Sequence, residues 1–564
     1  MDMVIFEENK PKILKAMENG DFDYIEAASE VCETEFFRFI DANSMLGELA
    51  GCYPSPRENE EVPLWVYLAS NISLRLHGEH AFHAYPLIVR IGGMLNAFGP
   101  QMGRKVVDGD QSKVTLDCKG FNEKNRYDRE SPCHQDFLRK MAKDTDADAL
   151  TAGWFGRDVL RAFHRRGAFD EEGILIGDAS YLFVPDNENY EDAANLRFDE
   201  SDHPVSREAY EKMSPEQQAR CRWRRCYKIV TLLHTNRTMD YFLFVGLKVL
   251  PGSAHESPVL YELVDHLVAA VGQGVMKRLI LDRGFLDGAA IAHCKSQHEI
   301  DLLIPVRRNM DIYEDAMALF RLPEVNWVPV KAPKPRRGQG PRHRPLSMVK
   351  GELKRQATLR KKKGQKPLSP EETNKVLAKT LVRTEVAAIG GFRSWSTCTV
   401  PLTVVATREH YGDGHQKTWL LLDTQPDPDP VEVRQEYRLR TGIEERYRQL
   451  KCFSGLANFT SCAFSLVVNQ VVFVLLTYNL LQFYLRQQGL EDLAGKPLPL
   501  AQREMLPSVT NNIVYWQCYC AFFTTYELVE LTARVSAKAR KKIAAKSRHR
   551  QRELMRGLRN PRPG

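Results

Sequence analysis

The sequence predicts a multidomain α/β protein built on a mixed sheet flanked by helices, and three observations carry that expectation. Between residues 173 and 306, short apolar runs alternate with helix-length runs in the order strand, strand, strand, helix, strand, helix, strand. Residues 380–422 are rich in β-branched and apolar residues at strand spacing. Residues 1–168 read mainly as helices.

Taken in order, residues 1–168 are expected to form a helical N-terminal domain, with Asp23–Ala42 and Leu64–His77 as its clearest runs. The polar, Gly- and Asp-rich stretch Gln101–Asp128 reads as loop with room for a short hairpin. Gly173–Asp178 is a short buried strand ending at an acid. Lys228–His234 and Tyr241–Leu250 are strands joined by a hairpin loop at Thr235–Asp240. Ser257-Pro258 opens a helix to about Val271, with Ser as N-cap and Pro in the first turn. Lys277–Asp282 is a second buried strand ending at an acid, Leu286–Gln297 has helical spacing, and Ile300–Val306 is a further strand. That order is the one a ribonuclease H-like core requires, with residues 169–306 as its first part. Residues 307–430 read as a basic linker plus a β-rich insertion. Its strands fall at Leu381–Ala388, Arg393–Ala406 and Thr418–Leu422, with turns at Gly390-Gly391 and Gly412-Asp413-Gly414. Residues 431–490 return to the core, and residues 491–564 form a helical C-terminal region with a basic tail.

Composition excludes several classes. Of 564 residues, 43% are hydrophobic and 27% charged, so collagen-like and wholly disordered chains are out. The 12 cysteines are irregularly spaced without a C-x-x-C pair, which suggests reduced thiols in a cytoplasm rather than a disulfide framework or a zinc ribbon. The first ten residues carry Asp2, Glu7 and Glu8 and have no apolar run of the secretory type. Phe464–Leu485 has no charge, but Asn469, Gln470, Thr477 and Asn479 interrupt it, so a core helix is expected and not a membrane span.

The net charge of +7 is unevenly spread. Lys331–Lys366 carries 14 Lys/Arg and one acid, and Arg534–Gly564 carries 12 Lys/Arg and one acid, which leaves −17 on the rest. Two basic tracts on an acidic body favour contact with a polyanion, since each cation that neutralises a phosphate releases counterions.

The chemistry concentrates after Pro430. Tyr437, Arg440, Glu444 and Lys451 stand at i, i+3, i+7 and i+14. On one continuous helix, at about 100° per residue, they fall within roughly 60° of each other. Ile443, Tyr447 and Leu450 can anchor an adjacent face. The spacing Y-x2-R-x3-E-x6-K resembles the YREK signature of bacterial insertion-sequence DDE transposases. Gly177-Asp178-Ala-Ser and Asp282-Arg-Gly-Phe resemble the blocks around that family's two aspartates, and the resemblance spans residues 173 to about 485.

The resemblance implies a DNA transposase that cuts at element ends and joins them to target DNA. Such chemistry needs an activated water or 3′-hydroxyl and charge neutralisation at phosphorus, which two Mg2+ ions about 3.5–4 Å apart supply. Mg2+ takes hard oxygen ligands, so Asp178, Asp282 and Glu444 suffice, with Asp282 expected to bridge; Mn2+ is expected to substitute. Asp186, Asp287 and Glu445 are the neighbouring acids that would replace them if the register were shifted. Arg440 and Lys451 would hold phosphates of the DNA end, and Tyr437 would hydrogen-bond a phosphate near the cut. Trp419 resembles the tryptophan that stacks on a flipped base in hairpin-forming relatives, with Trp395 as the alternative. The implied partners are the terminal inverted repeats and target DNA, held by a homodimer that is nucleoid-associated while bound. By elimination, the N-terminal region is left to read the repeats.

Other motifs lead elsewhere. His77, His80 and His83 recur every three residues, but Gly78 and Phe82 suggest packing rather than a metal site. His255-Glu256 and His298-Glu299 lack the second histidine of a zincin, and without a phosphate loop no nucleotide cofactor is expected. Two rival readings are a domesticated relative that binds DNA without cutting, and another ribonuclease H-like enzyme such as a repair nuclease or junction resolvase.

Overall fold

The computed structural model describes residues 10–22, 24–28, 33–58, 62–85, 105–107, 114–116, 133, 135–330, 346–362, 368–497, 511–516 and 519–546. The strands are β1 (Tyr24–Ala28), β2 (Lys105–Val107), β3 (Val114–Leu116), β4 (Ile174–Val184), β5 (Ala194–Phe198), β6 (Arg222–Thr235), β7 (Phe242–Pro251), β8 (Arg278–Ile280), β9 (Asp301–Pro305), β10 (Val328–Val330), β11 (Leu381–Phe392), β12 (Leu402–Tyr411), β13 (Gln416–Asp423), β14 (Asn511–Trp516) and β15 (Tyr519–Thr524). Six helices matter below: α1 (Leu64–Leu76), α2 (Glu256–Val271), α3 (Gly288–His298), α4 (Pro430–Tyr437), α5 (Thr441–Phe453) and α6 (Phe464–Gln487).

Ten strands form one mixed sheet in the order β10-β11-β12-β13-β9-β8-β4-β6, with β5 and β7 both paired to β6. The centre is parallel, β4 to β8 to β9, and everything outside it is antiparallel. Parallel neighbours need crossovers, and α2 and α3 provide them. This is the ribonuclease H-like arrangement the element order predicts. The β-rich segment does not stand apart from it. Its last strand, β13, pairs with β9 through Leu421–Pro305, Leu422–Ile304 and Asp423–Leu303, so β10–β13 extend the same sheet.

Several local expectations are corrected. Gly173–Asp178 is not a strand that stops at its acid. β4 runs on to Val184 because Leu182 and Val184 resume the buried alternation, so Asp178 sits mid-strand. Gly390-Gly391 is not a turn; it lies in β11 at an irregularity in the pairing between Ile389 and Phe392. α2 begins at Glu256 with His255 at its N-cap, leaving Ser257 and Pro258 inside the first turn. Asp23–Ala42 is not one helix. Tyr24–Ala28 forms β1 and a helix follows at Glu33–Ala42. β1 pairs antiparallel with β14, which pairs with β15, so the C-terminal stretch read as helical contains a β-hairpin. Ile13, Met17, Phe22 and Ile25 meet Val514, Phe523, Val535, Ala539 and Ile543 in a small core of their own. The stretch Gln101–Asp128 contains the hairpin β2–β3; its other residues lie outside the described ones.

A larger core joins the N-terminal helices to the sheet. Phe36, Tyr67, Trp154 and Phe163 share it with Phe244 on β7 and Phe473 and Phe483 on α6. α6 is the one described helix long and apolar enough to cross a membrane, with mean hydropathy 1.8, and 83% of that stretch is buried within the protein. Its amides explain why it belongs there. Asn479 accepts from the Phe244 N–H (2.8 Å) and donates to its carbonyl (2.7 Å), satisfying both backbone groups of an edge-strand residue. Asn469 donates to Tyr67 Oη (2.8 Å), and Gln482 donates to the Ala494 carbonyl (3.1 Å).

Candidate active site

The site is built where β4, β8 and the helices after β13 meet. Gly177 precedes Asp178 because a Cβ there would lie 2.5 Å from Leu281 and 2.6 Å from Leu260; only a glycine lets β4 pass this close. Asp282 follows β8 by two residues and stands at the N-cap position of the short 3₁₀ turn Arg283–Phe285, its side chain making no capping bond. Tyr261 Oη donates to the Phe285 carbonyl at 2.7 Å and holds that turn against α2.

Glu444 lies in the first turn of α5. The single continuous helix expected from Glu436 to Lys451 is broken. α4 ends at Tyr437, a 3₁₀ turn covers Arg438–Arg440, and α5 starts at Thr441. The tighter turn changes the angles between Tyr437 and Glu444 from those of an ideal α-helix. The side chains converge nonetheless. Arg440 forms an ion pair with Glu444. α5 is fixed to the sheet by Tyr447, whose hydroxyl donates to the Asp178 carbonyl (3.1 Å) and lies 2.7 Å from Thr231 Oγ1.

The electrostatics bear on Asp178, Arg440, Tyr437 and Lys451. Burial pushes the Asp178 carboxyl up to about 7; Arg440 and the Ala179 N–H oppose the rise, while Glu444 and Asp282 add to it. Burial disfavours the Arg440 charge, but Glu444, Asp178 and Asp282 together raise its pKa above the usual value. Burial raises Tyr437 to about 12, with Arg440 opposing and Asp282 and Glu444 contributing. Lys451 donates to Ser180 Oγ (2.7 Å) and the Tyr181 carbonyl (2.8 Å), and burial lowers it to about 8 against the pull of Asp178. Glu444 thus bonds Arg440 directly, and Asp178 and Asp282 lie near enough to act on the same guanidinium; carboxylate oxygens are the donors a hard divalent cation takes.

A family model described as the transposase DDE domain matches residues 163–480, more than half of the chain. The chain belongs to the DDE transposase family. The matched span starts before β4 and ends inside α6, so it includes Asp178, Asp282 and Glu444. No curated protein sequence matches this transposase significantly.

The alternative acids of this transposase are engaged elsewhere. Asp186 is exposed and lies 3.7 Å from Arg225. Asp287 accepts from the Ala290 N–H (3.0 Å) as N-cap of α3. Glu445 pairs with Arg448 (2.6 Å) and accepts from Gln449, contacts that lower it to about 2. Trp419 on β13 lies beside Tyr437, ring centroids 6.1 Å apart, and both pack at the edge of the main core, as Trp395 does.

Three features escape a reading along the chain. Arg278 on β8 makes two 2.7 Å bonds to Asp423 at the end of β13 and a third to Glu436 on α4. This clamp ties α4, which leads directly into the turn of Arg440 and the helix of Glu444, to the central sheet. Its members are too far apart in sequence to show a pattern. The contact of Lys451 with Ser180 was equally invisible. Away from the site, His293 and His298 on α3 both approach Asp265 Oδ1 on α2, at 3.1 and 2.6 Å. These three could hold a metal ion, but by imidazole ligands unlike the acids of the site.

Proposed function

We propose that this DDE transposase is a cut-and-paste enzyme of the YREK type, hydrolysing DNA at element ends and joining the freed 3′ ends to target DNA. The observation that carries the reading is the meeting of β4 and α5, where Tyr447 bonds the Asp178 carbonyl and Glu444 pairs with Arg440, with Asp178 and Asp282 acting on the same guanidinium. Asp178, Asp282 and Glu444 would hold the divalent cations, Mg2+ or Mn2+. When bound, the cations polarise the phosphoryl oxygens and lower the pKa of a ligated water.

The chain's own residues supply position. β4 and the 3₁₀ turn after β8 are rigid mounts for two acids, and α5 brings the third. Arg440 offers a planar fork to a phosphate in exchange for Glu444. Lys451, held by Ser180, adds a second cation on the β4 side. Tyr437 and Trp419 form an aromatic pair beside the acids, suited to a phosphate and an unstacked base. The described part of the first basic tract is a helix, Leu346–Lys362, with Val349 as its one buried residue, which leaves its cations facing outward for DNA. The reading places the enzyme in a bacterial cytoplasm, acting as a homodimer on DNA without a nucleotide cofactor.

Recognition of terminal repeats by the N-terminal region belongs to the same proposal. Because its helices share a core with the sheet, surface substitutions test it better than removal of residues 1–160. The main test is cleavage and strand transfer on DNA carrying the element's own flanked ends, with Mg2+ or Mn2+. Metal-dependent cutting and joining that vanish in Glu444→Gln support the proposal. Binding without cutting in the native chain supports a domesticated relative, and cutting without joining supports a nuclease.

A further inference from the structure

A cleft of about 400 Å3 opens between the end of α1, the helix Gln135–Asp144 and the turn after α5. Arg75 forms part of its wall and is 1% exposed. Its Nη1 donates to the Glu79 carbonyl at 2.7 Å, its Nε has no hydrogen-bond partner, and among the described residues it has no ion pair. Burial lowers its pKa to about 10, with Tyr67 and Glu79 opposing the fall. An arginine with so little compensation costs the free protein several kcal/mol unless something else uses it. His80 and His83, two of the three regularly spaced histidines, line the same cleft with Arg139 and the hydroxyls of Thr460 and Ser461. Asp136 also lines it and lies 3.6 Å from Arg139, so the charged side chains still sum to positive.

The cleft is coupled to the catalytic helix. A Cβ on Gly78 (φ +69°) would lie 3.1 Å from the Phe453 carbonyl, and one on Gly455 (φ +68°) would lie 3.2 Å from His80. The end of α1 is therefore docked directly on the end of α5. From Glu444 to Phe453 the helix rises about 14 Å, the axial length of about four base pairs.

We propose that this cleft is a second phosphate site, in which Arg75 binds a DNA backbone phosphate about four base pairs from the cut. The proposal rests on the reading of the chain as a DNA-cutting transposase and adds a contact remote from the acids. Arg75 is a binding residue; it touches no reacting atom.

The test uses the full chain and duplexes of the element's end, each with one neutral methylphosphonate at successive positions. Native protein is expected to lose about tenfold in affinity when one phosphate near the fourth base pair is neutralised. Arg75→Met is expected to lose the same about tenfold on unmodified DNA, to lower the salt slope by about 1, and to ignore the modified position. Thermal melting of the variant serves as the folding control, and Arg75→Lys should restore part of the binding if Met unfolds the chain. Equal affinity and salt slope in native and folded Arg75→Met overturn the proposal while native cutting still stands. Native protein that neither binds nor cuts these duplexes overturns the transposase reading as well. Inorganic phosphate that raises the native melting temperature but not that of Arg75→Met, with DNA binding unchanged, assigns the cleft to a free phosphate and overturns the DNA source.

Discussion

Two arginine–carboxylate clusters draw on the segment after β13, one through Glu436 and one through Arg440, and they are built to opposite rules. At Arg278 the geometry is closed. Asp423 is fully buried, receives two parallel bonds from the guanidinium, and accepts a third from the Gln425 N–H at 2.8 Å, while Glu436 takes the remaining donors. At Arg440 the count is open. Its guanidinium bonds Glu444, which stays half exposed, with Asp178 and Asp282 near enough to act on its charge. The first cluster is closed and serves the fold; the second, with three acids to one arginine, is where the proposed function puts a divalent cation.

This contrast can be broken experimentally, largest effect first. Glu444→Gln should reduce cleavage by about 10³-fold, since cation-mediated charge stabilisation is worth several kcal/mol, while melting stays level or rises as repulsion is relieved. Cleavage and melting on the same preparation read both. Arg278→Met should do the reverse. Removing one partner of a buried pair leaves Asp423 and Glu436 uncompensated and costs about 3–5 kcal/mol, seen as a lower denaturation midpoint. Restoration by the further change Asp423→Leu with Glu436→Gln would confirm that unpaired charge, not lost packing, is responsible.

A pH effect comes next. His234 on β6 is held neutral, accepting from the Asp170 N–H at 2.8 Å and facing the Ile174 carbonyl at 3.0 Å, and burial lowers it from 6.5 to about 4. The unfolded chain takes up this proton first. The contribution is therefore whole above pH 6.5 and lost as pH falls towards 4, by about 3 kcal/mol. Denaturation midpoints across that range should fall, and a His234→Gln variant should show a shallower fall. The smallest effect is expected at Glu445. Its charged partner Arg448 is exposed and a glutamine carbonyl can still accept from Gln449, so Glu445→Gln should cost less than about 0.5 kcal/mol and leave cutting unchanged.

Legibility in the sequence follows interaction range. The central strands and the hairpin Thr235–Asp240 were readable because apolar runs and turn residues are local signals. The core helix α6 was readable because its amides argued against lipid. Glu444 is nameable from a spacing, and Asp178 and Asp282 from acids closing short apolar runs; the interruption of the helix by a 3₁₀ turn before Glu444 leaves no such mark. Strand β1 was misread as helix because its partner, β14, lies nearly 500 residues away. The same limit hid the Arg278 clamp and the hold of Ser180 on Lys451, since side chains that meet only in the folded sheet leave no periodic trace. The basic tail begins, among the described residues, with a helix over 537–546, whose Lys542 lies 2.7 Å from Asp21, a contact nothing local announces.

The most direct measurement is Mn2+ binding to the full chain, followed by electron paramagnetic resonance, in a His293→Ala background that removes the separate His–Asp cluster. The account predicts that Asp178→Asn, Asp282→Asn and Glu444→Gln each weaken binding at least about tenfold, while Glu445→Gln binds as the parent does. Equal Mn2+ binding in all four variants would contradict it, because the acids that crowd Arg440 would then not be holding a cation together.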